Sequence, residues 1–446
     1  MTAQLLIILV FIFWLGACVG SFLNVVVFRL PEDRSLMWPP SHCPNCQSQL
    51  RWWENVPIFA WLYLRGRCRT CRVKISPQYP LIEALTAVLF VALYCVYYVP
   101  QLNAATGHEP FMAGSAWTWP VYAVHLALIA TLIAATVIDA KLYIIPLQLP
   151  WTATLIALIV LPIYGQWQPQ RVISADPITP TAMNFGVIHA AIGGAAGLAM
   201  ALTLLMLGIL PRSFDDEEMY DLEQRTMDQL TGRKTGEPVE PTPADDHPDQ
   251  SPSHDDQTHD QADQDQTPSD DEQAADAAVN PAELFLAYSH PRREVLKELL
   301  FVAFPILGTV LAILYMRDLI HPGVSPDAVY PVWVRVLAGS VFGYLVGGGF
   351  VWLTRIFGTL GFGREAMGLG DVHMLASIGA VLGWEASVVT FFVAPFLGLG
   401  FVAIAAGVSK IVRGQVRVIP YGPYLATAAV LVMLLGDLLT KRLPLF

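Results

Sequence analysis

The chain has 446 residues, 54% of them hydrophobic and only 14% charged, with a mean hydropathy of +0.49. That balance excludes an ordinary soluble globule and points to an all-α polytopic membrane protein. The formal charge of −11 says little about the embedded part, because residues 215–283 hold 22 of the 37 acidic residues and the rest of the chain is net +8.

Apolar runs near the length that crosses a bilayer, roughly 20 residues, recur at 5–28, 81–99, 119–138, 147–164, 186–210, 296–316, 332–357, 372–384, 386–409 and 421–440. About ten transmembrane helices are expected, and the run at 372–384 is short enough for a re-entrant segment. "MTAQ" carries no basic residue and the first run continues past "LGAC" to Phe28, so it reads as a retained span. The expected organisation is a first transmembrane helix at 1–29, a cytoplasmic tetracysteine domain at 30–80 and further spans at 81–211. An acidic, disordered cytoplasmic insert at 212–295 and a final set of spans at 296–446 complete it.

Basic residues in short loops favour the cytoplasmic side. The loop from Pro31 to Pro80 carries Arg34, Arg51, Arg65, Arg67, Arg69, Arg72 and Lys74, which places it inside and the N-terminus outside. Lys441 and Arg442 disagree with this alternation. In this orientation the third span ends at Asp139 on the inner face, and the seventh leads to Asp371 on the same face.

In chain order, the first chemical signal is "HCPNC" and "RGRCRTC", which supply Cys43, Cys46, Cys68 and Cys71 as two CxxC pairs. Two such knuckles close a tetrathiolate zinc site, and a reducing cytoplasmic loop disfavours the alternative of disulfide or redox chemistry. The neighbouring arginines compensate the cluster's negative charge and lower the thiol pKa values, so no nucleic-acid partner is expected. Cys18 and Cys95 lie in spans and read as packing residues.

The second signal is the pair of aspartates in "ATVIDAKLYIIP" and "GREAMGLGDVHML". Ionisable groups at membrane depth are costly and therefore functional candidates, although both could instead sit solvated among headgroups. Gly368 and Gly370 permit positive φ and close approach of another chain before Asp371. Two carboxylates close together in low dielectric share a proton, so that one takes a proton from water while the other protonates a carbonyl oxygen. His373 lies about 200° round a helix from Asp371 and reads as an interfacial polar group. No GxSxG, HExxH or Walker loop is present, and His125, His189 and His373 lack ligand spacing.

These residues resemble the type IV prepilin peptidases, bifunctional leader peptidases and N-methyltransferases of the bacterial inner membrane. "GSFLNVVVFRLP", "CPNC", "WWENVPIFAWLYLRGRCRTC", "ISPQYPLIEALT", "VIDAKLYIIP", "GREAMGLGDVHMLASIGAVLGW" and "IPYGPYLA" stand in family order. The resemblance implies that Asp139 and Asp371 are the catalytic pair of a GxGD aspartic protease. It further implies that the enzyme removes the basic leader of prepilins or pseudopilins at the cytoplasmic face, then methylates the new N-terminus with S-adenosylmethionine as donor. The methyl-donor contacts and oligomeric state are not legible, and no definite role attaches to Glu54, Asn55 or Glu83. A GxGD protease without methylation is the alternative, and a proton-coupled transporter a more distant one.

Three departures from the family stand out: His373 in place of a lysine, Leu147 after Pro146 in place of Asp or Asn, and a stretch of about 187–331 that reads as inserted. Within it, the small residues of 187–208 imitate the helix before GxGD, with Gly193, Gly197, Gly339 and Gly343 suited to close helix contacts. The acidic segment reads either as a solvated linker or as an attractor for basic leaders.

Overall fold

The computed structural model describes residues 3–106, 115–167, 184–213, 291–317, 329–363, 366–409 and 420–435. These fall almost wholly in one compact unit, Met1–Pro211 with His290–Phe446. Of the second unit, Arg212–Ser289, only 212–213 are described; the acidic insert expected at 212–295 lies outside the described residues from 214 to 290, and its last residues, 291–295, form the first turn of a helix.

The helices are α1 (Ala3–Arg29), α2 (Phe59–Tyr63), α3 (Gln78–Tyr98), α4 (Pro100–Thr106), α5 (Ser115–Leu142) and α6 (Gln148–Trp167). They continue with α7 (Phe185–Met206), α8 (Pro291–Arg317), α9 (Val332–Phe362), α10 (Leu369–Leu382), α11 (Trp384–Ser409) and α12 (Gly422–Leu435). Among the described residues there is no strand, and eight helices are long and apolar enough to cross a membrane. The ten apolar runs of the sequence thus coincide with ten apolar helices, of which α10 and α12 have 14 residues each. At 1.5 Å per residue such a helix covers about 21 Å, short of a hydrocarbon core of about 30 Å. For α10 this agrees with the short run at 372–384; for α12 the remainder of the run at 421–440 lies beyond Leu435, outside the described residues.

The core is built from α5, which is buried on most of its surface, and from α10, whose residues from Asp371 to Leu382 are buried with the exception of His373. Helices without a hydrophobic drive between them associate through small residues that let backbones approach. On α1, Gly16 and Gly20 face the backbone of Ala87 and Glu83 on α3. On α9, Gly343 and Gly347 lie against the carbonyls of Gly379 and Leu375 on α10, where an added Cβ would collide with backbone. Gly193 and Gly197 of α7 meet the carbonyls of Gly308 and Phe304 on α8 in the same way. The small-residue helix of the inserted stretch therefore repeats the packing of the helix before GxGD, each against its following neighbour.

Candidate active site

The cysteine loop between α1 and α3 consists of two copies of one turn. In the first, Cys43 N donates to Ser48 O and Gln47 N to Cys43 O; in the second, Cys68 N donates to Val73 O and Arg72 N to Cys68 O. Gln47 and Arg72, at the same offset, both take positive φ, and the flanking bridges His42–Gln49 and Arg67–Lys74 match as well. The four Sγ atoms lie within 4.8 Å of one another, with Cys43–Cys71 at 3.8 Å and Cys46–Cys68 at 3.9 Å. Sulfurs bound tetrahedrally at about 2.3 Å stand about 3.8 Å apart, a separation the Cys43–Cys71 and Cys46–Cys68 pairs already have. All six cysteines are free, and among the described residues this is the one cluster with the ligand set for a metal.

The thiols differ. Cys46 is lowered to about 6 chiefly by the Ser48 hydroxyl and backbone, whereas burial pushes Cys43 up to about 11. The lowering expected from the neighbouring arginines is supplied instead by hydrogen bonds. Arg69 is engaged elsewhere, donating to Glu54 at 2.6 Å. Burial opposes the charge on Glu54, but the Arg51 amide and the Arg69 guanidinium outweigh it and hold the carboxyl below its usual range. Glu83 on α3 accepts from Ile58 N at 2.6 Å, and Trp14 of α1 stacks on Phe59, so the loop is anchored to both helices it connects. Glu54 and Glu83 thereby acquire structural roles that sequence reasoning left open.

Asp139 stands in the last turn of α5 and Asp371 in the first turn of α10. Neither is solvated among headgroups: Asp139 is 6% exposed and Asp371 9%. The two carboxylates lie within electrostatic reach of each other. Asp139 Oδ2 accepts from Gly422 N at 3.1 Å, while Asp371 Oδ1 is buried and accepts no hydrogen bond from the described residues.

A third segment, at the start of α12, completes the wall. Tyr421 lies within electrostatic reach of Asp371, and a Cβ on Gly422 would stand 2.5 Å from Asp139 Oδ2. Ile145, in the turn after Asp139, is the spacer: its Cβ would be 2.6 Å from a Cβ on Gly370, and its Cδ1 3.2 Å from one on Gly422. Gly370 thus serves close approach, but by Ile145 of this chain, and neither Gly368 nor Gly370 takes positive φ. Gly368 is an extended N-cap with φ −70°. Sequence reasoning passed over Ile145, Tyr421 and Gly422; the available signal was "IPYGPYLA", with a glycine between prolines.

The three histidines of the apolar helices pair with tyrosines. His373 pairs with Tyr344 at 2.9 Å and packs on Trp151, His125 pairs with Tyr97 at 2.7 Å, and His189 with Tyr330 at 3.1 Å.

Two family models match the chain. The Bacterial Peptidase A24 N-terminal domain matches residues 14–97, and the Type IV leader peptidase family matches residues 296–403. The first segment contains the four cysteines and the second contains Asp371; Asp139 lies outside both. The second begins at residue 296 and so includes α8, which the motif order assigned to the inserted stretch. A prepilin leader peptidase/N-methyltransferase of Myxococcus xanthus is 41% identical over 140 residues, 31% of this chain and 36% of the relative. Those of Pectobacterium carotovorum and Neisseria gonorrhoeae are each 37% identical over 156 residues, 30% of this chain and 49% and 48% of theirs. The chain thus covers half or less of the length of these relatives. No solved structure matches. The resemblance drawn from the motifs is borne out by these matches.

Proposed function

We propose that this protein cleaves the basic leader peptide of type IV prepilins or pseudopilins at the cytoplasmic face of the bacterial inner membrane, and N-methylates the new N-terminus. The observation that carries the reading is two buried carboxylates from distant helices within electrostatic reach of each other, with Asp371 Oδ1 accepting no hydrogen bond from the described residues, in a chain matching the leader peptidase family.

Two buried carboxylates that come together in low dielectric hold one proton between them. One carboxylate draws a proton from the attacking water while the other protonates the scissile carbonyl, and the hydroxyl adds to the carbon. The tetrahedral species then collapses, the C–N bond breaks, and the amine leaves with a proton from the pair. The Gly422 amide orients Asp139, and Ile145 sets the spacing. No covalent intermediate with the protein is needed.

Cys43, Cys46, Cys68 and Cys71 would hold zinc, which would cross-link the loop as a structural ion. Methyl transfer follows from the relatives' name. S-adenosylmethionine, when bound, supplies the methyl group to the newly exposed amine; its site is not assigned to residues. The test is purified full-length protein with a prepilin-like peptide and a labelled methyl donor. Cleavage together with label on the product supports the reading, cleavage without label reduces it to a peptidase, and undiminished cleavage by Asp371→Ala overturns it.

A further inference from the structure

We infer that Glu298 on α8 and Arg355 on α9 form a buried brace that sets the position of Asp371 through the carbonyl of Met367. The inference rests on the peptidase reading of Asp371. Both side chains are 1% exposed, and Arg355 Nε donates to Glu298 Oε1 at 2.8 Å. The guanidinium is not exhausted by that pair: Arg355 Nη1 donates to Met367 O at 2.6 Å. Glu298 is fixed in turn by Trp352 Nε1 at 3.3 Å, whose ring stacks on Phe301 of α8.

A buried ion pair is poor evidence for stability, because well-packed apolar residues of similar volume commonly do as well. An apolar pair cannot, however, direct an N–H at a carbonyl. The carbonyl chosen belongs to the residue before the N-cap Gly368, four positions ahead of Asp371. Other contacts tie the same connection to α9: Ala366 N donates to Thr359 Oγ1 at 3.3 Å, and Gly363 N to Thr359 O at 2.9 Å. Gly358 is bare where a Cβ would stand 2.5 Å from Ala366 Cβ. At its other end the segment is pressed onto Ile145 through Gly370, so Asp371 is held between that contact and the anchor at Met367. Glu298 and Arg355 are thus positioning residues, and α8 reaches the chemistry through them.

The test uses full-length protein with the paired replacement Glu298→Leu/Arg355→Met, which removes both charges and keeps apolar volume, beside Arg355→Lys and Asp371→Asn. Amide exchange read by mass spectrometry should quicken about tenfold at 366–371 while α8 and α9 keep their protection. Cleavage should lose kcat by about 100-fold, the scale of an ångström's misplacement, with KM nearly unchanged. Arg355→Lys, which retains the charge but not the fork, should restore protection only in part. Unchanged exchange at 366–371 in the paired variant overturns the brace, as does equal loss of protection across α8 and α9. The exchange result needs no substrate. A wild-type protein that cuts no prepilin peptide therefore defeats the peptidase reading separately.

Discussion

The cysteines are gathered by two copies of one short turn, with partners 22 and 28 residues apart, whereas the carboxylate site joins Asp139 to an amide 283 residues away. A site made by local backbone geometry survives changes elsewhere, because each knuckle carries its own hydrogen bonds. A site made by converging helix ends depends on every surface that keeps those ends in register, including Ile145, Gly370 and Gly422. The two regions should therefore fail differently when challenged.

The largest expected effect is at the carboxylates. Asp139→Asn or Asp371→Asn should lower cleavage of a prepilin-like peptide by on the order of 10⁴-fold, since neither proton transfer can then proceed. Thermal unfolding in detergent should change little. Cleavage within tenfold of the original by either variant would remove that residue from the chemistry.

Next is Gly422→Ala, far from both aspartates in sequence. Its Cβ would stand 2.5 Å from Asp139 Oδ2, so the carboxylate must turn away. Cleavage should fall by about 100-fold, mostly in kcat. Full activity would show that Asp139 works in another orientation.

Cys43→Ser with Cys68→Ser removes one thiolate from each knuckle. Metal analysis should find zinc lost from the purified protein, and cleavage should decline by about tenfold, as expected of a structural ion whose removal leaves the carboxylates in place. A loss as large as that of the aspartate variants would make the two regions a single unit and erase the contrast drawn here.

Deleting 215–280 should do least. If the acidic segment is a solvated linker, cleavage stays within about twofold at low and moderate salt. A drop confined to low salt would favour an attractor for basic leaders.

Hydropathy alone marked the ten apolar helices, because each long run must satisfy its backbone within itself wherever it is placed. Cysteine spacing marked the metal cage for a similar reason: a CxxC turn needs only its own few residues. The GxGD and "VID" stretches singled out two carboxylates that lie within electrostatic reach of each other. What only the tertiary structure decided was which backbone approaches which. Gly370 is small for Ile145, Gly422 is small for Asp139, and Arg355 reaches past its own helix to Met367. None of these partners has a sequence period or spacing that would reveal it, since each contact depends on the angle and depth at which separate helices pack. Local chain chemistry could single out the two carboxylates, but their separation is a property of the packed bundle.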